Sequence, residues 1–206
     1  MFIVVIFVLL PFAIARKKEH LSGEAGEKKI SNLIDDIKTD GEYLINNYLA
    51  SRNKNGTDSI QIDHIFISHK GIFVIETKDY RGRIYGNGNH NSWTQTIGYN
   101  RIQKNKLYNP IKQNETHVNY VEKIVDEYLP YYNVVIFIRA DISRVTNTGG
   151  KLFNPDDFYY WYRRLPNNVL GQETLERVRE SLNQEMSLRP ITKEQHVANI
   201  HRRHGD

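Results

Sequence analysis

The distribution of apolar residues predicts a β-hairpin near the middle of the chain. Isoleucine, valine and phenylalanine dominate residues 60–67 and 72–75, and a His-Lys-Gly sequence at 69–71 separates the two runs. Short runs rich in β-branched residues, joined by a turn that contains glycine, are typical of paired antiparallel strands. We therefore predict a hairpin over residues 58–78.

The predicted hairpin carries side chains that do not fit a purely apolar interior. Asp63 lies within the first strand, and Glu76 and Lys78 close the second. Because successive side chains of a strand point to opposite faces, Glu76 and Lys78 share one face and Thr77 takes the other. A buried carboxylate is costly unless its charge is compensated. A divalent metal held by Asp63 and Glu76, with Lys78 beside it, would supply that compensation.

Further elements are predicted on the N-terminal side of the hairpin and directly after it. Apolar residues recur at helical spacing between residues 30 and 37, and Gly41 ends that helix. The other elements predicted from this part of the sequence are a strand over 43–49, a loop over 51–58, a turn and a short strand over 79–86, and a strand over 92–97.

The second half of the chain begins with a clear helix signal. Asn109 and Pro110 suit the N-cap and the first helical position, and Pro130 marks the end of the helix. The buried stripe predicted for this helix consists of Val118, Val121, Ile124, Val125 and Tyr128. Later elements are a buried strand over 132–138, a turn at 149–150, an amphipathic helix over 172–186 and a polar tail over 196–206. This order of elements predicts an α/β sandwich with a mixed sheet.

Composition agrees with a folded globular domain. The 206 residues are enough for one domain with a substantial core, and 39% of them are hydrophobic and 25% charged. Lysine and arginine number 28 against 24 acidic residues, which gives a net charge of +4. This mild excess permits a polyanionic partner without requiring one. Cysteine is absent, so disulfides and thiolate metal sites are excluded.

The N-terminus has a composition of its own. Residues 1–15 carry no charge and are almost wholly apolar, and the basic residues 16–18 follow directly. As a helix this run would span about 22 Å, short of the hydrocarbon core of a bilayer at about 30 Å. We predict a short membrane anchor with the domain facing the cytoplasm, because basic flanks stay on that side. The alternatives are a buried element or a cleaved signal peptide, which would make the protein secreted.

Two carboxylates and a lysine at one place suit the hydrolysis of a phosphodiester bond. Carboxylates are hard oxygen ligands for Mg²⁺ or Mn²⁺, which activates water and relieves the charge on the phosphoryl oxygens. A lysine ammonium near the attacking water orients it and stabilises developing negative charge. Asp63 followed by Glu76-x-Lys78 supplies this set, although carboxylates and lysines at such a spacing also occur on surfaces without function.

Short motifs follow one another in order from the first predicted helix to the helix after Asn109. They are Gly23-x-x-Gly26-Glu27, Gln61-Ile62-Asp63-His64, Gly71-Ile72-Phe73-Val74-Ile75-Glu76-Thr77-Lys78, Gly82-x-Ile84-Tyr85-Gly86, Trp93 and Asn109-Pro110-x-x-Gln113. In this order and spacing, residues 23–125 resemble the nuclease-related domain family, a branch of the PD-(D/E)xK phosphodiesterase superfamily. On this basis we divide the chain into the anchor over 1–18, a nuclease-related core over 19–140 and a C-terminal extension over 141–206.

The resemblance implies a fold, a chemistry and a set of site residues. The fold would be a restriction-endonuclease-like α/β/α sandwich around a central mixed sheet, and the chemistry that of a metal-dependent nuclease. By this likeness Asp63 and Glu76 are metal ligands together with the backbone carbonyl of Thr77, and Lys78 positions the water. Ile62 departs from the superfamily pattern, in which proline precedes the aspartate, but proline there donates nothing to the metal.

Two helical residues complete the site that the resemblance implies. Glu27 matches the acidic position of the first helix, and Gln113 matches the glutamine of the later helix at the edge of the site. Each also has an ordinary interpretation: Glu27 as a solvated acid favoured by the helix dipole, and Gln113 as an exposed helix residue.

Other residues are candidates for contacts with nucleic acid. Arg81, Arg83 and Lys112 could bind backbone phosphates, with solvated surface charge as the alternative. His117 lies one turn beyond Gln113 on the same helix face and could contact a phosphate, with a surface or packing role as the alternative. His64 and Trp93 are predicted to be structural, with stacking on a base as the alternative for Trp93. The remaining histidines are predicted to belong to a polar tail, with an adventitious metal site as the alternative, and they are His196, His201 and His204.

Together these observations predict a membrane-tethered enzyme that uses Mg²⁺ or Mn²⁺ to hydrolyse nucleic acid, DNA rather than RNA. The alternative from another class is a module with the same fold that binds nucleic acid or acts as a scaffold without catalysis. The set of Asp63, Glu76 and Lys78 favours the enzyme, because a binding module has no need of three costly residues on buried strands.

Overall fold

A computed structural model describes residues 23–99 and 102–204 as a mixed α/β fold, as predicted. The helices of this part of the chain are α1 (23–37), α2 (Pro110–Val125), α3 (Pro155–Arg164), α4 (Gln172–Leu188) and α5 (Lys193–His204). The strands are β1 (Tyr43–Ser51), β2 (Ser59–Ser68), β3 (Gly71–Lys78), β4 (Arg83–Asn87), β5 (Ser92–Ile97), β6 (Gln103–Tyr108), β7 (Tyr131–Phe137), β8 (Asp141–Thr146) and β9 (Leu152–Phe153).

The predicted hairpin, β2 and β3, forms the centre of a five-stranded mixed sheet with the order β1-β2-β3-β7-β9. β1, β2 and β3 are antiparallel, whereas β7 and β9 continue the sheet in parallel. The turn requires glycine at Gly71, whose φ is +142°. A Cβ there would lie 2.7 Å from both the Pro130 carbonyl oxygen and the Tyr132 ring, so β3 and the chain before β7 can approach closely only at glycine.

Helices cover both faces of this sheet. On one face, α2 and α4 bury Val121, Val125 and Leu175 against Ile65 and Val74 of the hairpin. On the other face, α1 and α3 place apolar side chains against the strands, namely Ile30, Ile34, Phe158 and Tyr162 against Phe66, Phe73 and Ile75. Because the two faces of β2 and β3 are both buried, their sequence is a nearly continuous apolar run, as expected of central strands.

A second sheet, with the order β6-β5-β4-β8, lies beside the first. Three of its strands come from the chain between β3 and α2, and its inner face packs Ile84 and Trp93 against Phe137 of β7. Trp93 is buried, and its indole N–H donates to the Asn87 carbonyl at 2.9 Å, so the predicted structural role is confirmed. The sequence predicted β4 and β5 but not β6 or β8, which are largely exposed.

Helix α2 ends five residues earlier than predicted. Its last residue is Val125, and Asp126 adopts a left-handed conformation with φ 53° while its N–H caps the Glu122 carbonyl. The chain therefore leaves the helix before Tyr128, which is fully exposed instead of forming part of the buried stripe. The left-handed cap ends the helix ahead of Pro130, the residue expected to end it.

The predicted polar tail at 196–206 was wrong for its described part, because α5 extends from Lys193 to His204. The helix is docked by buried polar contacts with the start of β2. His196 Nδ1 lies 2.8 Å from Ser59 Oγ, and the Asn199 amide donates to Ser59 Oγ and to the Gly56 carbonyl. An attachment made by hydrogen bonds leaves no apolar periodicity in the sequence, which is why the helix was missed.

The buried His196 makes the docking of α5 sensitive to acid. Burial lowers the pKa of His196, so at mildly acidic pH the unfolded chain binds a proton more readily than the folded protein. Stability is therefore lost as the pH falls below the ordinary histidine value of about 6.5. We expect the free energy of unfolding, measured in urea, to fall more between about pH 7.5 and about pH 5.5 in the wild type than in His196→Gln. An equal fall in both proteins would contradict this role, since every other histidine is shared.

The anchor predicted at 1–18 lies outside the described residues. Within 23–99 and 102–204, no helix has both the length and the apolar character needed to cross a membrane. The boundaries proposed for the core and the C-terminal extension stay predictions. The residues after 140 do contribute α3 and α4 to the two apolar clusters that cover the central sheet.

Candidate active site

The hairpin opens at the point where Asp63 and Glu76 face each other. The antiparallel ladder between β2 and β3 stops at the pair His64 and Ile75, and the same register continued by one residue sets Asp63 opposite Glu76. Beyond the ladder, the Thr77 N–H donates to Asp63 Oδ2 at 2.8 Å instead of to the backbone of β2. The Asp63 carboxylate thus replaces a backbone carbonyl of β2 as the hydrogen-bond acceptor, and it lies beside the end of β3.

Glu76 is the centre of a hydrogen-bonded cluster. Its side chain is only 5% exposed, and Oε1 accepts from Lys78 Nζ at 2.5 Å and from Gln113 Nε2 at 2.9 Å. Lys78 Nζ also donates to Gln113 Oε1 at 3.2 Å, so the three side chains close a ring of hydrogen bonds. His117 Nδ1 lies 3.4 Å from Glu76 Oε2. The structure therefore brings together Glu76, Lys78, Gln113 and His117, which the sequence separates by up to 41 residues.

Helix α2 is held so that Gln113 and His117 face the sheet. Asn109 caps the helix by accepting from the Ile111 N–H at 2.9 Å, and its own amide donates to loop carbonyls before β5. Asn114, fully buried, donates to the carbonyls of Val74 and Val134 and so joins α2 to two neighbouring strands. With the helix fixed in this way, residues four apart lie on one face and reach Glu76 together.

The carboxylates of the site are crowded. Burial raises the pKa of Asp63 well above its ordinary range, and the negative charges of Glu76 and Glu27 raise it further, against the Thr77 N–H and Lys78, which lower it. Glu27 lines a groove together with Asn47 and Gln61 of β1 and β2, and its role at the site stays a prediction. Neighbouring acidic groups at a buried position are stable only with positive charge nearby.

The cationic partner of the site keeps its proton. Burial by itself lowers the pKa of Lys78, but the charges of Glu76 and Asp63 and the hydrogen bond to Glu76 outweigh it, and the pKa lies above its ordinary value. Lys78 is therefore an ammonium ion at neutral pH, able to donate and to stabilise negative charge but not to act as a base. Burial lowers the pKa of His117, so its imidazole is neutral.

His64 points away from this cluster, as predicted. It is buried on the opposite side of β2 from Asp63, and its Nδ1 lies 2.7 Å from Asn46 Oδ1. Burial lowers its pKa to about 4, which leaves a neutral ring in the packing between β1 and β2. These contacts support the structural interpretation of His64.

The donor set suits a hard divalent cation. The Asp63 carboxylate accepts from the backbone N–H of Thr77, the residue directly after Glu76, and carboxylate oxygens are donors that Mg²⁺ and Mn²⁺ prefer. His117 Nδ1 is buried there without a hydrogen-bond partner among the described residues, and buried polar atoms usually have one. In the part of the chain that the structure describes, no group of three or more histidine, aspartate and glutamate side chains is arranged as a metal site.

The basic residues predicted to bind phosphates lie at the start of β4 and the start of α2. Arg83 Nε donates to Asp141 Oδ2 at 2.7 Å, and Lys112 Nζ donates to Asn91 Oδ1 at 2.7 Å. Arg81 is exposed and contributes its carbonyl to the Gln95 amide. Among the described residues, none of the three hydrogen-bonds to the Glu76 cluster.

A groove of about 490 Å³ leads away from Glu27 between the central sheet and α5. Asn47 and Gln61 line its floor, and Val197 and Ile200 of α5 form one wall. Asn47 has a left-handed backbone with φ 53° and interrupts the pairing of β1 and β2 at the position opposite Asp63. The sequence contains no sign of this groove except that asparagine tolerates such a conformation better than most residues.

Comparison with known proteins identifies the family. A family model described as the nuclease-related domain matches residues 22–138. The chain belongs to the nuclease-related domain family. An uncharacterized protein of Bacillus anthracis is 33% identical to it over 137 residues, which are 66% of this chain and 62% of that relative. The match thus spans less than two thirds of the relative's length, and no solved structure matches the chain significantly.

The nuclease-related domain contains every residue of the Glu76 cluster. The matched range includes β2, β3 and α2, together with the strands of the second sheet up to β6. Helices α3, α4 and α5 lie outside that range. Membership of the family therefore associates the hairpin and its two flanking helices with a nuclease-related function.

Proposed function

We propose that this protein is a metal-dependent nuclease that hydrolyses phosphodiester bonds of nucleic acid, DNA in the first instance. One observation carries the proposal: in a nuclease-related domain, the buried carboxylate of Glu76 is joined to the ammonium of Lys78 directly beside the crowded Asp63. Helices on both faces of a central mixed sheet support the finer proposal of a restriction-endonuclease-like sandwich.

Each residue of the cluster has a role in this proposal. Asp63, Glu76 and the backbone carbonyl of Thr77 would hold Mg²⁺ or Mn²⁺. When bound, such an ion supplies Lewis-acid stabilisation of the phosphoryl charge and activation of water. Lys78 orients the attacking water with its N–H groups and stabilises the negative charge that develops, a role that its raised pKa suits. Gln113, bonded to both Lys78 and Glu76, keeps the ammonium in place.

The peripheral residues are assigned by their positions. Glu27 adds negative charge to the cation site from α1, and the neutral His117 offers a buried N–H or lone pair beside Glu76. Arg81, Arg83 and Lys112 are proposed as contacts to the phosphates that flank the cleaved bond. For Arg83 this requires a phosphate to replace the carboxylate of Asp141. We also propose that residues 1–18 anchor the protein to a membrane with the domain facing the cytoplasm, and this rests on their sequence alone.

Cleavage assays with the full chain test the proposal. End-labelled single-stranded DNA, duplex DNA and RNA are incubated with Mg²⁺, Mn²⁺ or EDTA. We expect cleavage of DNA that requires the metal and stops in EDTA. Cleavage that continues in EDTA, or no cleavage of any of the three substrates with either metal, would overturn it.

One observation favours the alternative, a module that binds nucleic acid without catalysis. Glu76 Oε1 already accepts two hydrogen bonds, from Lys78 and Gln113, so this carboxylate oxygen is satisfied without a cation. The same assays separate the two functions, because a binding module would hold DNA equally well in EDTA and in Mn²⁺ and would leave it intact.

A further inference from the structure

The second sheet has one buried face and one exposed face. Alternate residues of its strands, including Ile84 and Trp93, pack into the core. The residues between them lie on the other face, and we call six of these the basic face: Arg83, Tyr85, Lys104, Lys106, Tyr108 and Arg144. All six side chains are exposed to solvent. None of them belongs to the Glu76 cluster.

Strand register brings the members of the basic face into neighbouring rows. Lys104 pairs with Thr96, which pairs with Arg83. In the next row Lys106 pairs with Thr94, Thr94 with Tyr85, and Tyr85 with Arg144 of β8. Because directly paired residues of adjacent strands project from the same face, the two rows form a continuous surface across all four strands.

The positive charge of the basic face is largely available to a partner. Arg83 is bonded to Asp141, but within the described residues no ion pair is formed by Lys104, Lys106 or Arg144. Three cationic side chains on a sheet surface with one paired arginine attract a polyanion. Within the rows, Thr94 adds a hydroxyl of the kind that contacts phosphate and sugar oxygens, whereas the Thr96 hydroxyl donates to the Arg83 carbonyl.

Aromatic rings lie among these charges. Tyr85 is 41% exposed and Tyr108 is 60% exposed, although both sit on regular strands with a core behind them. Tyrosines on an exposed sheet face, interleaved with lysine and arginine, match how proteins bind unpaired nucleotides: bases stack on the rings while the cations follow the backbone. In a duplex the bases are already stacked on each other, so the rings would have no role.

We propose that the basic face binds single-stranded nucleic acid, with phosphates at Lys104, Lys106 and Arg144 and bases stacked on Tyr85 and Tyr108. The proposal rests on the proposed nuclease function, because it names the form of substrate presented to the Glu76 cluster. The chain connects the two places directly: β4 follows β3 after residues 79–82, and Tyr108 precedes Asn109, the cap of α2. The elements that carry Lys78 and Gln113 are therefore continuous in the chain with strands of the basic face.

Fluorescence anisotropy with the full chain in detergent tests the proposal. The probe is a labelled oligothymidylate of about 20 nucleotides, and EDTA is present so that no turnover occurs. The charge variant combines Lys104→Ala, Lys106→Ala and Arg144→Ala. For single strands, the slope of the logarithm of the binding constant against the logarithm of the salt concentration is about −0.7 per phosphate contact. The slope of the charge variant should therefore be about two units shallower than that of the wild type. A charge-matched control combines Lys54→Ala, Lys123→Ala and Arg164→Ala, which are exposed on other elements and should leave the slope unchanged.

The tyrosines are tested separately. Tyr85→Ala with Tyr108→Ala should weaken binding by about 10-fold per ring, whereas the two Tyr→Phe changes should preserve it because the stacking surface remains. Unchanged affinity in both the charge and the tyrosine variants would overturn the proposal. So would tighter binding of a duplex of the same length. Binding of phosphatidylserine-containing vesicles that the charge variant loses, with oligonucleotide affinity unaffected, would assign the face to a membrane instead.

These outcomes are independent of catalysis. A wild-type protein that binds the oligonucleotide through the basic face but never cleaves it would contradict the proposed nuclease function and leave this inference intact. If the wild type cleaves DNA and every variant binds the oligonucleotide with wild-type affinity, the proposed nuclease function stands and this inference fails. Circular dichroism melting curves of the variants confirm that the exposed substitutions leave the fold unchanged.

Discussion

In the Asp63→Asn variant, metal-dependent cleavage is expected to fall by about 1,000-fold or more, equivalent to about 4 kcal/mol of transition-state stabilisation. Asparagine has the same shape and can still accept the hydrogen bond from the Thr77 N–H, but it lacks the negative charge that holds a cation. The comparison is a cleavage assay at saturating Mn²⁺, with Asp40→Asn as an exposed control that should keep full activity.

Stability should separate this variant from a simple folding defect. Without metal, Asp63→Asn should be as stable as the wild type or more so, because it removes a carboxylate whose pKa is raised by burial and by Glu76 and Glu27. Added Mn²⁺ should raise the melting temperature of the wild type and not that of the variant. Activity retained in a variant that no longer responds to Mn²⁺ would contradict the assignment of Asp63 as a ligand.

In the Lys78→Met variant, we expect a loss of about 100-fold to 1,000-fold in cleavage rate together with a loss of stability. Removing the ammonium leaves the buried Glu76 carboxylate with Gln113 as its remaining strong donor, and an uncompensated buried charge costs about 3–5 kcal/mol. Mn²⁺ should restore part of that stability, since the cation takes over the compensation of Glu76. Urea denaturation with and without Mn²⁺ measures both effects.

The two variants should therefore differ in a specific way. Asp63→Asn loses the metal response and the activity together, whereas Lys78→Met loses the activity and keeps the metal response. Lys38→Met, directly after the end of α1, serves as the control for loss of a lysine whose ion pair is on the surface. If Lys78→Met cleaved DNA at the wild-type rate, the attacking water would have to be positioned by another group.

The parts of the fold that the sequence predicts are those with strong local signals. The central hairpin carries continuous β-branched runs because both of its faces are buried, and α2 begins with an asparagine cap followed by proline. The same combination of asparagine and proline occurs at Asn154 and Pro155, where it starts α3. This helix was not predicted, because the aromatic run that follows is typical of a strand.

Other elements depend on contacts far along the chain. Strand β6 has a single apolar residue facing the core, Leu107, and is held by its register with β5, so it has no apolar alternation of its own. Helix α5 is attached by hydrogen bonds to Ser59, which is 137 residues from His196. Neither kind of partner can be recognised from a window of neighbouring residues.

The candidate site likewise contains some residues that could be predicted from the sequence and others that could not. Asp63, Glu76 and Lys78 could be singled out because charged groups on buried strands are costly. Gln113 was implied by the family resemblance, and His117 lies four residues further on the same helix face. The ion pair of Arg83 with Asp141 and the left-handed Asn47 opposite Asp63 could not, since both depend on how distant strands meet. The basic face emerged only when the strand register was known.

The central claim is that Asp63 and Glu76 bind one divalent metal between β2 and β3. Its most direct test is a crystal of the protein soaked in Mn²⁺ and measured for anomalous scattering. The account predicts an anomalous peak within about 2.5 Å of a carboxylate oxygen of both residues, and no such peak in crystals of Asp63→Asn. A wild-type crystal with no peak at that position, and with the Lys78–Glu76 ion pair unchanged, would contradict it.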